Sequence, residues 1–301
     1  MRNVFFAGFV ILTLSSCIRN TQSHIPVLGK KPLSKSLYRG VYIDSTSFFL
    51  GDTAKENHLL RWCLQNKITS LAYFDLNRVM LSGKASRLAY FMKLARTDFN
   101  IKDNSAVVGS ANFAHTVIDT FNNSKTDTLQ RFNWCNLELE WWNGDGSFDQ
   151  YISKLKSLKA WGDSQFPRVG TEEYIGWFRN PSGMDSIMAD KLIQNSDRIL
   201  VHNYYPIPSW SYMSSRVNYL ANAAKALNRK ANLIVIFNSD PTVTGPYFKS
   251  HPFDRAFCEI SKGFNSSVMK NKASINLMGY HLFKYDFARS ARPLATRVLK
   301  N

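Results

Sequence analysis

Cysteine is scarce in this sequence, and its spacing excludes two common structural roles. The chain has four cysteines among 301 residues, and Cys63, Cys135 and Cys258 lie far apart without any CxxC pair. Such spacing provides neither a disulfide framework nor a zinc site. We therefore expect these three to be small buried residues, and we predict no metal site and no bound cofactor.

No transmembrane helix is expected from the apolar stretch at residues 4–14, because about 20 residues are needed to span a bilayer. The stretch follows Arg2 and precedes Leu14-Ser15-Ser16-Cys17. An apolar residue, two small residues and a cysteine resemble the lipobox of bacterial lipoproteins, in which the cysteine carries a lipid. The resemblance implies a signal peptide over residues 1–16, a lipid on Cys17, a tether over residues 17–36 and attachment to the cell envelope at the outer membrane. A secretory signal with an incidental cysteine is the alternative.

Acidic residues are outnumbered in this chain. It has 38 Lys and Arg against 22 Asp and Glu, a formal net charge of +16. A basic surface attracts anions of many kinds, including phosphates, lipid headgroups and acidic polysaccharides. The basic residues are scattered, with no arginine-rich block and no nucleic-acid-binding motif, so nucleic acid is not predicted as a partner.

Strand-like and helix-like segments alternate through the rest of the chain. The strand-like segments are residues 38–44, 69–75, 105–109, 132–140, 167–170, 197–203, 232–238 and 275–281. Amphipathic helical stretches, such as residues 211–228, separate them. Eight such units predict one monomeric (β/α)8 TIM barrel over residues 37–288, followed by a C-terminal tail over residues 289–301. A doubly wound sheet is the alternative, but no glycine-rich phosphate loop follows the first strand.

The fourth strand-like segment, FNWCNLELEWW, has carboxylates where a strand buried on both faces is usually apolar. Alternation places Asn136, Glu138 and Glu140 on one face, and Cys135 and Leu137 on the other. In a barrel, the first face points inward and its glutamates lie at the catalytic end of the strand. Burial and mutual repulsion should raise the pKa of at least one glutamate, as a general acid requires. Pairing with Arg or Lys from a neighbouring strand is the alternative.

The same segment resembles glycoside hydrolase family 18, the chitinase and endo-β-N-acetylglucosaminidase group. That family carries D-x-x-D-x-D-x-E at the end of strand four of a (β/α)8 barrel. This chain reads Asn133-x-x-Asn136-x-Glu138-x-Glu140, which matches all four spacings but only the last identity. A weaker similarity is VHNYYP at residues 201–206, which places Tyr204 on the tyrosine of the family's sixth-strand motif.

The resemblance implies a substrate-assisted glycosidase acting on β-linked N-acetylglucosamine glycans. Glu140 would be the proton donor, Glu138 would orient the substrate's acetamido group, and Tyr204 would hydrogen-bond its carbonyl. The acetamido oxygen attacks the anomeric carbon in this mechanism, so no enzyme nucleophile is required. The departures at Asn133, Asn136 and Glu138 leave a second hypothesis open, namely a barrel that binds glycans without cleaving them. A scaffolding protein of the envelope is a third.

Polar and aromatic residues at strand ends suit a ligand rich in hydroxyl groups. We predict ligand contacts from Asn136, Trp142, Asp75, Asn203, Tyr205, Asp240 and Tyr280. Asp240 also follows strand seven, where many retaining barrel glycosidases place a nucleophile, but Leu139 stands where those enzymes have Asn before the acid. Further polar residues at predicted strand ends are Glu172, Glu173 and His281.

Overall fold

Eight parallel strands, each hydrogen-bonded to the next in chain order, form a sheet that closes where β8 pairs with β1. The computed structural model describes residues 37–178 and 184–295. The strands are β1 Tyr38–Ile43, β2 Ser70–Tyr73, β3 Asp103–Val108, β4 Trp134–Leu137, β5 Gly170–Ile175, β6 Arg198–His202, β7 Ala231–Asn238 and β8 Ile275–Phe283. The predicted single (β/α)8 TIM barrel is therefore confirmed.

Helices connect consecutive strands and form the outer layer. They are α1 Thr46–Phe49, α2 Thr53–Gln65, α3 Leu76–Leu81, α4 Ala85–Asp98, α5 Ala111–Phe113, α6 Asp119–Asn123, α7 Phe148–Ser164, α8 Asp185–Asn195, α9 Trp210–Ala226, α10 Gly245–Ser250, α11 Phe253–Ser266 and α12 Tyr285–Ala291. A π-helical turn, Ala114–Ile118, joins α5 to α6, and short 3-10 turns occur at Thr128–Gln130, Trp141–Asn143 and Lys272–Ser274. Within the two described ranges, no helix is both long and apolar enough to span a membrane.

The fifth strand lies further along the chain than predicted. Strand five is Gly170–Ile175 rather than residues 167–170, because Glu172 and Glu173 lie inside a fully buried strand instead of after one. The last helix extends past residue 288, where the barrel was predicted to end. Helix α12 continues to Ala291, and the carbonyl of Arg292 accepts a hydrogen bond from the Trp62 indole of α2.

The core lies between the strands and the helices. Alternate strand residues face the helices and are mostly apolar, as in β7, where Leu233, Val235 and Phe237 are fully buried. Cys63 and Cys135 are buried as expected, whereas Cys258 is only partly buried. The apolar outward faces let the helices pack on the sheet without leaving polar groups unpaired.

The barrel interior is packed and contains polar groups in its lower half. Gly40 faces His281, and a Cβ atom at residue 40 would lie 2.0 Å from the imidazole Nε2. Below this contact, Arg198 forms ion pairs with Glu172 and Asp103 and lies 3.4 Å above the Trp134 ring. The interior is therefore filled towards its N-terminal end, and the C-terminal end is left for a site.

Candidate functional site

The end of β4 directs its side chains as the alternation predicts. Asn136 points into the barrel, where its amide donates a 3.1 Å hydrogen bond to the Tyr42 hydroxyl of β1. The strand ends at Leu137, but the Glu138 amide still donates to the Val108 carbonyl of β3 at 3.0 Å. This bond continues the parallel ladder by one residue and keeps Glu138 on the inward face.

Glu138 lies close to the hydroxyl groups of Tyr42, Tyr174 and Tyr204. These three rings, with Phe74 and Phe283 packed against them, form a group that we call the aromatic cage. Centroid distances around it are 5.4 Å for Tyr42–Phe74, 5.7 Å for Tyr42–Phe283, 6.1 Å for Tyr204–Phe283 and 6.4 Å for Tyr174–Tyr204. After burial, the charge of Glu138 is among the causes that raise the pKa values of the Tyr42 and Tyr204 hydroxyls. The aromatic cage is therefore a largely apolar environment in which three tyrosine hydroxyls lie near the carboxyl of Glu138.

The carboxyl of Glu138 is held in its neutral form. Burial, assisted by the charge of Glu140, raises its pKa to about 8. Its Oε2 atom is buried and has no hydrogen-bond partner among the described residues. Among those residues, no Lys or Arg pairs with Glu138 or Glu140. The ion-pair alternative applies instead to Glu172, deeper in the barrel.

Glu140 lies closer to solvent than Glu138. It precedes the 3-10 turn Trp141–Asn143, and its backbone carbonyl accepts hydrogen bonds from the amides of Asn143 and Asp145. One of its carboxylate oxygens accepts a short hydrogen bond from the Asn143 side chain. The charges of Glu140 and Glu138 both add to the effect of burial in raising the pKa of Tyr174. The two carboxyls thus share one phenol neighbour at the mouth of the barrel.

Replacing Glu138 with Gln should change how stability depends on pH. The folded pKa of about 8 exceeds the 4.5 that is usual for a glutamate in an unfolded chain, so folding retains a proton that the unfolded chain releases. The stability contribution is complete below pH 4.5 and is lost as pH rises through 8. We expect the variant to gain on the order of a few kcal/mol relative to wild type between pH 5 and pH 8.

Urea unfolding of both proteins at pH 5, 6.5 and 8 measures this difference. The matched control is Glu259→Gln, which removes a partly exposed glutamate of α11 that pairs with Arg255, far from Glu138 in the chain. It should not reproduce the gain in stability with pH. A difference between Glu138→Gln and wild type that is constant across pH would show that Glu138 is ionised in the folded protein.

The sixth strand brings two more predicted residues to the mouth. Tyr204 joins the aromatic cage, and Tyr205 is half-exposed with its ring 5.1 Å from Tyr212. His202 lies beneath them, with Nδ1 3.4 Å from the Tyr174 hydroxyl and ring centroids 4.9 Å from Tyr204. Burial lowers the pKa of His202 to about 3, so this imidazole is neutral.

Asp75 and Asp240 lie at the rim of the mouth and already have local partners. Asp75 accepts a hydrogen bond from the Ser47 hydroxyl and lies 3.7 Å from the guanidinium of Arg78. Asp240 accepts from the amide and hydroxyl of Thr242, and these bonds lower its pKa. Asp240 thus stabilises its own turn, and Asp75 connects α1 with the start of α3. Any ligand contact by either carboxylate remains a prediction.

Two residues predicted to contact ligand face elsewhere. Asn203 has 0% exposure, and its side chain bonds to the carbonyl and amide of Ser209 at 2.7 and 3.2 Å, which clamps its own loop. Tyr280 points into the helical layer, where its hydroxyl donates to Asp254 at 2.9 Å. Its neighbour His281 takes the inward position, because strand residues alternate between the two faces.

Trp142 is also packed away from solvent. It is 4% exposed, lies 4.4 Å from Trp141 and 5.2 Å from Tyr174 between centroids, and contacts Gly176. A sugar-stacking face would have to be open, so the structure gives this tryptophan a packing role behind the aromatic cage. Asn136 is likewise fully buried, beneath the cage.

Sequence reasoning missed four of the five residues of the aromatic cage, Tyr42, Phe74, Tyr174 and Phe283. Tyr174 was hidden by the wrong boundary of strand five. In GTEEYIGW, alternation from Gly170 puts Glu172, Tyr174 and Gly176 inward, while Glu173 faces Tyr151 of α7 at 3.2 Å. The alternation of side chains in this segment indicated an inward Tyr174. Two adjacent glutamates, however, are more typical of a loop than of a buried strand.

Metal ligands do not cluster in the part of the chain that the structure describes. No group of three or more His, Cys, Asp and Glu side chains there is arranged to hold a metal ion. Cys17 lies outside the described residues, as do the predicted signal peptide and tether.

The sequence matches no protein-family profile and no curated protein. In fold, it is similar to the carboxyl transferase domain of Rhizobium etli pyruvate carboxylase, with TM-score 0.48, 8% identity, and coverage of 83% of this chain and 40% of that chain. For a Toxoplasma gondii protein described as a deoxyribose-phosphate aldolase, the TM-score is 0.48 and the sequence identity is 10%, with coverage of 85% of this chain and 91% of that chain. For an O-GlcNAc hydrolase variant from Thermobaculum terrenum, the TM-score is 0.41 and the sequence identity is 13%, with coverage of 66% of this chain and 47% of that chain. These likenesses are too low to carry an argument about chemistry.

Proposed function

We propose that this barrel is a glycoside hydrolase that cleaves β-linked N-acetylglucosamine glycans by substrate-assisted acid catalysis. One observation carries the proposal: a carboxyl with a pKa of about 8, Glu138, lies two residues before a second carboxyl, Glu140, at the C-terminal mouth of a (β/α)8 barrel. Catalytic residues of this fold lie at that face. A carboxyl that is neutral near pH 7 supplies the proton that glycoside cleavage needs.

The proposed reaction uses the proton that Glu138 holds near pH 7. Glu140, nearer to solvent, receives the proton stored on Glu138 and donates it to the glycosidic oxygen as the bond to the leaving sugar breaks. The acetamido oxygen of the substrate forms the new bond to the anomeric carbon. Glu138, now a carboxylate, accepts a hydrogen bond from the acetamido N–H and stabilises the positive charge.

The second half of the reaction restores the starting state. Water attacks the anomeric carbon and releases the acetamido oxygen, while Glu140 takes the proton from that water. The proton then returns to Glu138. Tyr204, in the aromatic cage beside Glu138, is the proposed hydrogen-bond donor to the acetamido carbonyl.

A barrel that binds glycans without cleaving them is the second candidate. The hydrogen bond from Asn143 to Glu140 favours it, because it ties the proposed donor to its own turn. Asn136 also bonds to Tyr42 and cannot share a proton with Glu138. Under this reading, the aromatic cage and the half-exposed Tyr205 provide sugar contacts only.

Paired substrates test the reaction class. An aryl β-chitobioside should be hydrolysed with retention of anomeric configuration, whereas an aryl β-cellobioside, which lacks the acetamido group, should react at least about 100-fold more slowly. Equal rates on the two substrates would exclude substrate assistance. Binding of chitobiose without turnover, measured by calorimetry, would select the second candidate.

The location follows from the N-terminal resemblance. We propose a lipid on Cys17 that anchors the barrel to the bacterial outer membrane, with the tether between them. Metabolic labelling with a fatty-acid analogue, compared between wild type and Cys17→Ser, tests this step separately from the reaction.

A further inference from the structure

The two ends of the barrel carry opposite charge. The loops that precede β2 to β8 emerge at the N-terminal end, and we call their surface the basic face. They comprise residues 66–69, 99–102, 124–133, 165–169, 196–197, 227–230 and 267–274. They contain nine basic residues, Lys67, Lys102, Lys125, Arg131, Arg168, Arg229, Lys230, Lys270 and Lys272, and only two acidic residues, Asp127 and Asp197.

The mouth is acidic by comparison. The described loops at that end contain seven acidic residues, Asp44, Asp52, Asp75, Glu138, Glu140, Asp145 and Asp240, and two basic residues, Lys84 and Lys284. The chain's excess of positive charge is therefore not spread evenly. An approaching anionic surface would orient the barrel with its basic face forward.

Part of the basic face is a depression free of acidic residues. It has a volume of about 500 Å³ and is lined by Lys225, Asn228, Arg229, Lys230, Lys270, Asn271, Ala273 and Ser274. Among the described residues, none of its four basic side chains forms an ion pair. Amide and ammonium donors without acidic neighbours suit the phosphate of a lipid headgroup.

Large apolar side chains project from the same face. Phe166, in the loop before β5, is 94% exposed, and Val268, in the loop before β8, is 99% exposed. Leu129, before β4, is also exposed. Soluble polyanions offer nothing apolar for such side chains to enter, whereas a bilayer interface buries them beneath its headgroups.

We propose that the basic face docks on an anionic lipid bilayer. Lys and Arg side chains contact headgroup phosphates, and Phe166 and Val268 insert at the interface. The start of β1 agrees, because Tyr38 lies at this face and is preceded in the chain by the segment proposed to carry the lipid on Cys17. Docking in this orientation turns the mouth, with Glu138 and Glu140, away from the membrane and towards external ligands.

Vesicle binding by the full chain with Cys17→Ser, which carries no lipid, tests the proposal. Phosphatidylcholine vesicles with and without 30% phosphatidylglycerol are compared by sedimentation. The triple variant Lys102→Gln, Lys230→Gln, Lys270→Gln should bind the anionic vesicles at least tenfold more weakly, since each interfacial lysine contributes about fivefold. The matched triple Lys55→Gln, Lys156→Gln, Lys249→Gln has the same net charge but lies on the outer helices, and it should bind as the parent does.

Two further measurements identify the partner. Hydrogen exchange with anionic vesicles should protect residues 165–169, 227–230 and 267–271, but not residues 203–209 or 239–244 at the mouth. Phe166→Ser with Val268→Ser should weaken vesicle binding severalfold and leave binding of soluble heparin unchanged. Equal losses in the two lysine triples, protection at the mouth, or vesicle binding indifferent to the apolar changes would each overturn membrane docking. The last result would assign the face to a soluble polyanion.

Discussion

Replacement of Glu140 by Gln is expected to lower kcat for a β-linked N-acetylglucosaminide about 100- to 10,000-fold, while the substrate still binds. Glutamine has nearly the same shape as glutamate, and its oxygen can still accept a hydrogen bond from the Asn143 side-chain amide. It has no acidic proton to give to the leaving group. The loss should depend on the leaving group. Dinitrophenolate departs as an anion without protonation. The rate of hydrolysis of a dinitrophenyl glycoside should therefore fall far less than that of chitobiose.

The leaving-group comparison separates acid catalysis from a general defect. Glu259→Gln, at a partly exposed glutamate of α11 that pairs with Arg255, provides the matched control and should retain wild-type rates on both substrates. Chitobiose binding by calorimetry should stay within about threefold for Glu140→Gln. An equal loss on both substrates would assign Glu140 to positioning rather than proton donation, and no loss would remove it from the reaction.

Replacement of Arg198 by Met should destabilise the barrel by about 3–5 kcal/mol, because it leaves buried carboxylates without their cation. Arg198 is 3% exposed and pairs with Glu172, which is 0% exposed, and with Asp103 at 2.8 Å. Burial raises the pKa of Glu172, and the charge of Arg198 opposes that rise. Thermal unfolding of Arg198→Met at pH 7 should show a Tm roughly 10 °C below that of wild type.

A second substitution tests the cause of that loss. Adding Glu172→Gln to Arg198→Met removes the main uncompensated charge, so the double variant should recover a large part of the lost stability. Arg61→Met, on the exposed face of α2, serves as the control for removing an arginine and should lie within about 0.5 kcal/mol of wild type. A double variant less stable than Arg198→Met alone would contradict a charge-based account.

The fourth strand shows how far sequence could go. Its period of two assigned Asn136 and Glu138 to the barrel interior and Cys135 and Leu137 to the helical layer, because a strand's geometry fixes the faces locally. The fifth strand shows where sequence reasoning ended. Glu172 and Glu173 are adjacent, yet one meets Arg198 inside the barrel and the other meets Tyr151 and Ser196 outside. Their partners lie far away along the chain, so a local pattern could not explain two buried glutamates.

The same limit applies to the predicted ligand contacts. Asn203, Trp142 and Tyr280 were polar or aromatic residues near strand ends, which sequence alone could not distinguish from site residues. Asn203 became a loop clamp, Trp142 a packing residue and Tyr280 a partner of Asp254. Only the closed sheet decides which side chains reach the mouth, since closure sets the register of each strand against its neighbours.

Alternating apolar and amphipathic segments by themselves determined the barrel, its eight units and the inward direction of Asn136 and Glu138, because these depend on short-range periodicity. Tertiary structure alone decided that Glu138 lies beside the aromatic cage and that Arg198 pairs with Glu172 instead of Glu138 or Glu140. It also decided that the basic loops gather at one end of the barrel. The physical reason is that burial and charge interactions depend on distances in space, and closing the barrel brings together residues that the chain keeps far apart.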